Sequence, residues 1–152
     1  MRAIIQRVSH ASVTVDTNCI AAINSGLLIL LGVETADTSA DVAWLCAKIA
    51  KLRIFNDAAG LMNCDISQIG GKCIVVSQFT LHASTKKGNR PSFIRAARPE
   101  QARALYEEFT AQLRHELGNS ELVQTGEFAA DMKVELLNDG PVTICIDTQN
   151  RE

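Results

Sequence analysis

The run Gly26-Leu-Leu-Ile-Leu-Leu-Gly-Val33 constrains this chain more than any other segment. Eight residues without a polar side chain, bounded by glycine, fit a strand covered on both faces. Such a strand needs one layer above it and another below. It is the longest wholly apolar stretch and about a third of a bilayer span, so no segment is expected to cross a membrane. Residues 1–10 carry Arg2 and Arg7 among isolated apolar residues and contain no signal-peptide core. The expected compartment is the cytoplasm. With 152 residues, the chain is expected to form one domain over 1–152. A chain of that length buries roughly 68–70% of its unfolded surface and needs no disulfide or metal staple.

Around this strand the pattern is mixed. Residues 3–15 are β-branched and apolar, but the phase changes near Ser9 and His10: Ile4 and Val8 are even, whereas Ala11, Val13 and Val15 are odd. A long strand with a bulge, or two strands in tandem, is expected. Thr38 or Ser39 can cap a helix carrying Val42, Leu45, Cys46, Ile49 and Leu52 at three- and four-residue steps, running to about Phe55. Asn56, Asp57 and Gly60 then make a turn. Gly70-Gly71 precedes a buried strand, Cys73-Ile-Val-Val76, which runs on through residues 77–81. A second helix starts at Pro99 and ends at Gly118, with Leu105, Phe109, Leu113 and Leu117 as its buried stripe. Met132, Val134 and Leu136 alternate, as do Val142, Ile144 and Ile146, and Asn138-Asp-Gly-Pro141 separates them. They read as two strands joined by a short connection. The expected fold class is α+β, about six strands in a mixed or antiparallel sheet with two main helices.

Five cysteines are scattered, with no C-x-x-C. Neither a disulfide framework nor a zinc knuckle is expected, and Cys46, Cys73 and Cys145 are expected as small core hydrophobes. Phosphate-loop, dinucleotide, nucleophile-elbow and zinc-protease motifs are missing, so no metal or cofactor is expected. The net charge of −2 argues against nucleic-acid binding by the whole surface. Its distribution is uneven: Lys86, Lys87, Arg90, Arg95, Arg98 and Arg103 face one acid, Glu100, a local +5 that leaves −7 elsewhere. A basic stripe on an acidic body suits a polyanion that touches one face; the plainer reading is a solvated loop and helix start.

Two segments stand out chemically. In Ser77-Gln78-Phe79-Thr80, three polar side chains follow an apolar strand at once, and a strand end can gather hydroxyls, an amide and free N–H groups around a ligand. In Asn138-Asp-Gly-Pro-Val-Thr143, glycine before proline permits backbone geometries closed to other residues. From the residues alone, the Gly140–Pro141 bond stands open between cis and trans.

Together these segments resemble the two signature motifs of the D-aminoacyl-tRNA deacylases. The resemblance extends through Ile5-Gln-Arg-Val8, the Gly26 run, Arg53-Ile-Phe55, Lys87-Gly-Asn-Arg-Pro-Ser-Phe93, Leu105-Tyr-Glu107, Thr125-Gly126 and Phe128-Ala-Ala-Asp-Met132. It implies a barrel-like α+β fold, a homodimer, and hydrolysis of the ester joining a D-amino acid to the 3′-terminal adenosine of tRNA. It also implies a cis Gly140–Pro141 bond, with that motif of one subunit entering the active site of the other as a chirality filter. By the same likeness Ser77, Gln78, Phe79 and Thr80 form the floor of the reaction site, and Phe128 and Met132 line the adenosine pocket.

The resemblance has physical consequences. Carbonyls of Gly140 and Pro141 can accept hydrogen bonds from the substrate ammonium, each worth ~1.5–3 kcal/mol. An L side chain would then strike the Gly-Pro backbone, and glycine would escape the filter, so glycyl-tRNA is expected as a second substrate. Thr80 acts either as nucleophile or by ordering water and the loop, and the lack of an evident base favours the latter. The basic stripe then becomes a candidate contact for tRNA phosphates. Two rivals are a catalytically silent RNA- or adenosine-binding module and a cysteine-dependent ester hydrolase.

Overall fold

The computed structural model describes residues 1–151; Glu152, the last residue of the expected domain, lies outside them. A 14-residue strand, β1 (Arg2–Val15), organises the sheet. Its partner returns in two pieces, β2 (Asn18–Ile23) along the far half and β3 (Gly26–Gly32) along the near half, both antiparallel. Next to β3 lies β6 (Lys72–Ser77), and next to β6 lies β7 (Val123–Thr125), both pairings parallel. On the other edge of β1 runs β8 (Lys133–Asp147). A two-strand ribbon, β4 (Phe55–Asn56) with β5 (Met62–Cys64), stands apart. The sheet curls until β2 meets β7, where the Gln124 side-chain amide exchanges two hydrogen bonds with the Ala22 backbone, 2.8 and 2.9 Å long. The expected barrel-like α+β sheet with two helices is what forms.

Helices α1 (Ser39–Ala50) and α2 (Pro99–Leu117) pack together over one face of the sheet. The doubly covered strand follows from that layering. Leu27, Ile29 and Leu31 of β3 lie in the core shared with the helices, while Leu28 and Leu30 belong to the interior of the curl. β6 divides likewise, Cys73 and Val75 one way and Ile74 and Val76 the other. The phase change in β1 is also real. Ala3 and Ile5 join the helix-side core, Val8, Ala11 and Val13 join the interior, and the β8 register shifts on both sides of Val8.

Four expectations need correction. α1 stops at Ala50, not near Phe55. Residues 52–56 are drawn out of the helix because the Ile54 carbonyl accepts from Arg7 at 2.7 Å and Phe55 pairs with Cys64. The strand through Val76 ends at Ser77, and the chain then tightens into a 3₁₀ turn, Phe79–His82. Residues 133–147 are not two strands folded on each other: both alternating runs are collinear on β1, and residues 138–142 bulge from a single strand. Cys145 is exposed, because Val142, Ile144 and Ile146 occupy the inward phase of β8 and Cys145 the outward one. Cys46 and Cys73 are buried, as expected.

Candidate active site

The Ser77 segment is rooted in the core. It follows a strand whose residues 73–76 are at most 1% exposed. Gln78 donates its backbone N–H to Leu31 at 2.8 Å, and the Arg2 guanidinium donates to the Leu81 carbonyl at 2.9 Å. Gly32 permits this approach: a Cβ there would sit 3.0 Å from both the Gln78 oxygen and Leu81 Cβ. Phe79 and Thr80 open the 3₁₀ turn, and such a turn leaves its first N–H groups without an internal acceptor. Both residues are exposed, and the Phe79 ring meets Phe93 edge-on at 5.1 Å. The Gln78 side-chain amide donates to Thr80 Oγ1. The Thr80 oxygen therefore accepts a hydrogen bond, and its proton is left free to point elsewhere.

The Gly140 segment is held differently. It leaves and rejoins β8 through a neck made by one side chain: Asn138 accepts from the Val142 N–H at 2.9 Å and donates to the Val142 carbonyl at 3.0 Å. Its base is gripped by Arg7, which is 7% exposed. The Arg7 guanidinium donates to the Asp139 carbonyl at 2.9 Å, lies 3.2 Å from the Asp139 carboxylate, and reaches the Ile54 carbonyl and Asn56. The Gly140–Pro141 peptide is cis, and Gly140 has φ +137°, a conformation L residues rarely adopt. Both tip residues are exposed.

One chain does not bring the two segments together. Gly140 and Pro141 line a cavity of about 410 Å³ with Arg7, Asn56, Leu61 and Met62, and Ser77–Thr80 contribute nothing to it. The strand register explains why. The arm departs opposite residues 6–8, midway along β1, whereas Ser77 pairs with Leu31, which pairs with Ala3 near the start of β1. Three to five residues of strand separate those levels by roughly 10–16 Å, and β1 and β3 intervene sideways.

Phe128 is half-buried, its ring 5.8 Å from that of Tyr106 and 4.6 Å below the Arg103 guanidinium. Met132 is half-buried beside Val76 and Gly126. Lys86, Lys87 and Arg90 lie on an exposed loop closed by paired hydrogen bonds between Ser84 and Ser92, 2.8 and 2.9 Å long. Arg98 is exposed at the start of α2, and Arg95 is bound to Glu34.

Arg7 and Asn138 act on the arm, yet composition and periodicity gave neither a role. An arginine between Ile5 and Val8, in the β-branched, apolar opening of the chain, was the available signal, since a buried guanidinium requires carbonyl or carboxylate partners. The two core thiols are poor nucleophiles: burial, helped by Glu116 and Glu108, pushes Cys46 up, and burial pushes Cys73 up to about 12.

Comparison with known proteins places this arrangement. The family model described as D-Tyr-tRNA(Tyr) deacylase matches residues 4–147. A D-aminoacyl-tRNA deacylase of Bacteroides fragilis is 61% identical over the full length of both chains, and one of Flavobacterium johnsoniae is 59% identical, also full length. Among solved structures, the c-Myc DNA Unwinding Element Binding Protein superposes with a TM-score of 0.92 at 40% identity, covering 97% of this chain and 98% of its own. A probable eukaryotic D-amino acid tRNA deacylase gives 0.82 at 15% identity over 95% and 97%, a likeness of fold. With its fold, both signature segments and its full-length relatives in agreement, the chain belongs to the D-aminoacyl-tRNA deacylase family.

Proposed function

We propose that this protein hydrolyses the ester between a D-amino acid and the 3′-terminal adenosine of tRNA, and that main-chain atoms make the chiral choice. The observation that carries the reading is the exposed Gly140–Pro141 tip, fixed from behind by Arg7 and Asn138. Its carbonyls bind the substrate ammonium. With ammonium and ester fixed, a D side chain points into open space and an L side chain strikes the tip. Glycyl-tRNA passes as well.

The working site is completed in a homodimer, where the arm of one subunit reaches the Ser77–Thr80 floor of its partner. Two features support this: the separation of the segments within one chain, and the unpaired outer edge of β8 among the described residues. Such an edge is a natural place for another chain to add. At the floor, the Phe79 and Thr80 N–H groups hold the developing oxyanion, each such donor being worth ~10²–10³ in rate. Thr80 orders water and the turn, consistent with its oxygen accepting from Gln78. The attacking water leans on the ribose 2′-hydroxyl. Phe128 and Met132 receive the terminal adenosine, and Lys86, Lys87, Arg90 and Arg98 touch tRNA phosphates in the cytoplasm. Arg95 shares its guanidinium with Glu34.

The test is release of amino acid from D- and L-tyrosyl-tRNA by the purified protein. We expect rapid release of D and negligible release of L; equal rates would end the proposal. Binding of charged tRNA without turnover would make the protein a silent RNA-binding module. In single turnover, Thr80→Ala should be slowed but active, and complete loss with tRNA affinity intact would make Thr80 the nucleophile.

A further inference from the structure

One buried carboxylate lies under the basic loop with only half of its bonding capacity used. Glu34 follows the Gly32 end of β3 and is 8% exposed. Its Oε1 accepts from both Nε and Nη2 of Arg95 at 2.6 Å. Its Oε2 is buried and has no hydrogen-bond partner among the described residues. At 3.8 Å from Oε2 lies Nδ1 of His82, itself 2% exposed, with neither ring nitrogen bonded among the described residues. That gap is too long for a hydrogen bond, which needs about 3.2 Å or less. A small shift with a proton on Nδ1, present in one neutral tautomer as well as in the imidazolium, would close it.

The two partners occupy opposite legs of one loop. His82 ends the 3₁₀ turn and leads into the Ser84–Ser92 closure; Arg95 follows that closure. The outgoing leg is laid along residues 33–35, with Thr35 N–H donating to Arg95 and Ala97 N–H to Val33, 3.1 and 3.0 Å. Between the legs stand Lys86, Lys87 and Arg90.

We infer that Glu34 is a positioning residue: it clamps both legs of the basic loop, Arg95 through Oε1 and His82 through Oε2 when tRNA seats, and so sets the presentation of the loop cations. This rests on the reading that the loop touches tRNA. Glu34 is buried beneath the loop and lies outside the Ser77–Thr80 segment proposed to hold the ester, so the clamp acts on substrate capture and not on bond cleavage.

Steady-state deacylation of D-tyrosyl-tRNA by the full-length protein separates the possibilities. Glu34→Gln keeps the volume and removes the charge; KM should rise roughly fivefold, the upper reach of a partly exposed pair, while kcat stays within about twofold. Arg95→Gln should do the same, and the double variant should be no worse than either single, since both remove one clamp. His82→Phe, filling similar space without nitrogens, should raise KM about threefold and add nothing to Glu34→Gln. If Arg95 served only as a phosphate contact, Glu34→Gln would free it and KM would fall or stay level, which overturns the clamp. A fall in kcat at constant KM overturns it too, as does full additivity of the three changes. Lys86→Glu with Lys87→Glu guards the underlying reading: a raised KM there with no effect at Glu34 defeats the clamp alone, and no effect there defeats both.

Discussion

The two signature segments are held in place on opposite structural terms. Residues 77–80 continue a parallel strand at the centre of the molecule, with the Gln78 N–H donating to Leu31 of β3 behind them and Arg2 beneath. Residues 138–142 interrupt an edge strand, exposed at the tip and tied down by two side chains. The floor draws its rigidity from the fold, so it cannot be altered without touching stability. The arm draws its rigidity from Arg7 and Asn138, so its shape can be altered nearly independently of the core. On the proposed function, a reaction site assembled from one of each keeps its floor constant while its selector changes.

The sharpest way to break this contrast is to put a side chain on one glycine of each segment. Gly140→Ala places a Cβ 2.7 Å from Val142 Cγ2 on a backbone at φ +137°. Turnover of D-tyrosyl-tRNA should fall about ten- to a hundredfold, reflecting the ~1–3 kcal/mol such a backbone costs. The urea midpoint should move less than it does for Gly32→Val, because the exposed arm can open locally and shed the strain. Gly32→Val, pressing on Gln78 and Leu81, should cost ~1–3 kcal/mol of folding stability and lose activity in parallel. If the Gly140 variant proved the less stable of the two, the contrast would be wrong.

Arg7→Met comes next, leaving the Ile54 and Asp139 carbonyls without their donor. We expect ~1–3 kcal/mol of destabilisation in denaturant unfolding and at least a tenfold fall in activity. Asn138→Ala opens the neck. About 1 kcal/mol should be lost, and L-tyrosyl-tRNA should gain relative to D as the tip loosens; a D/L ratio equal to wild type would show that Arg7 alone fixes the arm.

The smallest effect concerns acid. Burial pushes Asp147 up, but bonds from the Arg2 guanidinium and the Gln149 N–H outweigh it and hold the carboxyl below its ordinary value. A depressed folded pKa means that its stabilisation is complete above the unfolded value, ~3.9, and fades as pH falls through the folded one. Because Arg2 also supports the turn at Leu81, Asp147→Asn should lower stability slightly at pH 7 and by less at pH 2, read by thermal unfolding at both.

The legibility of the sequence follows the same division. β3 and the limits of α2 at Pro99 and Gly118 were readable because local chemistry and tertiary packing agree there. α1 was read too long because Leu52 and Phe55 extend its spacing, while Arg7, distant in sequence, and the pairing with β5 draw residues 54–56 away. β2 went unread because Asn18-Cys-Ile-Ala-Ala-Ile23 alternates only weakly and owes its form to β1. Asn138-Asp-Gly-Pro141 carries every mark of a hairpin turn; only the length of β1, which pairs with both flanking runs, makes it a protrusion. The resemblance located the two segments, but not the side chains that hold the arm.

The one-amide neck at Asn138 has a consequence for how such a chain can vary. Strand neighbours alternate sides, so inserting a single residue normally turns everything downstream inside out. Here the excursion departs and returns through the same asparagine, and the two flanking runs stay in step with β1 whatever lies between. Residues can be gained or lost at the tip while Ile144 and Ile146 remain inward, which leaves the tip free to evolve in length as well as in composition.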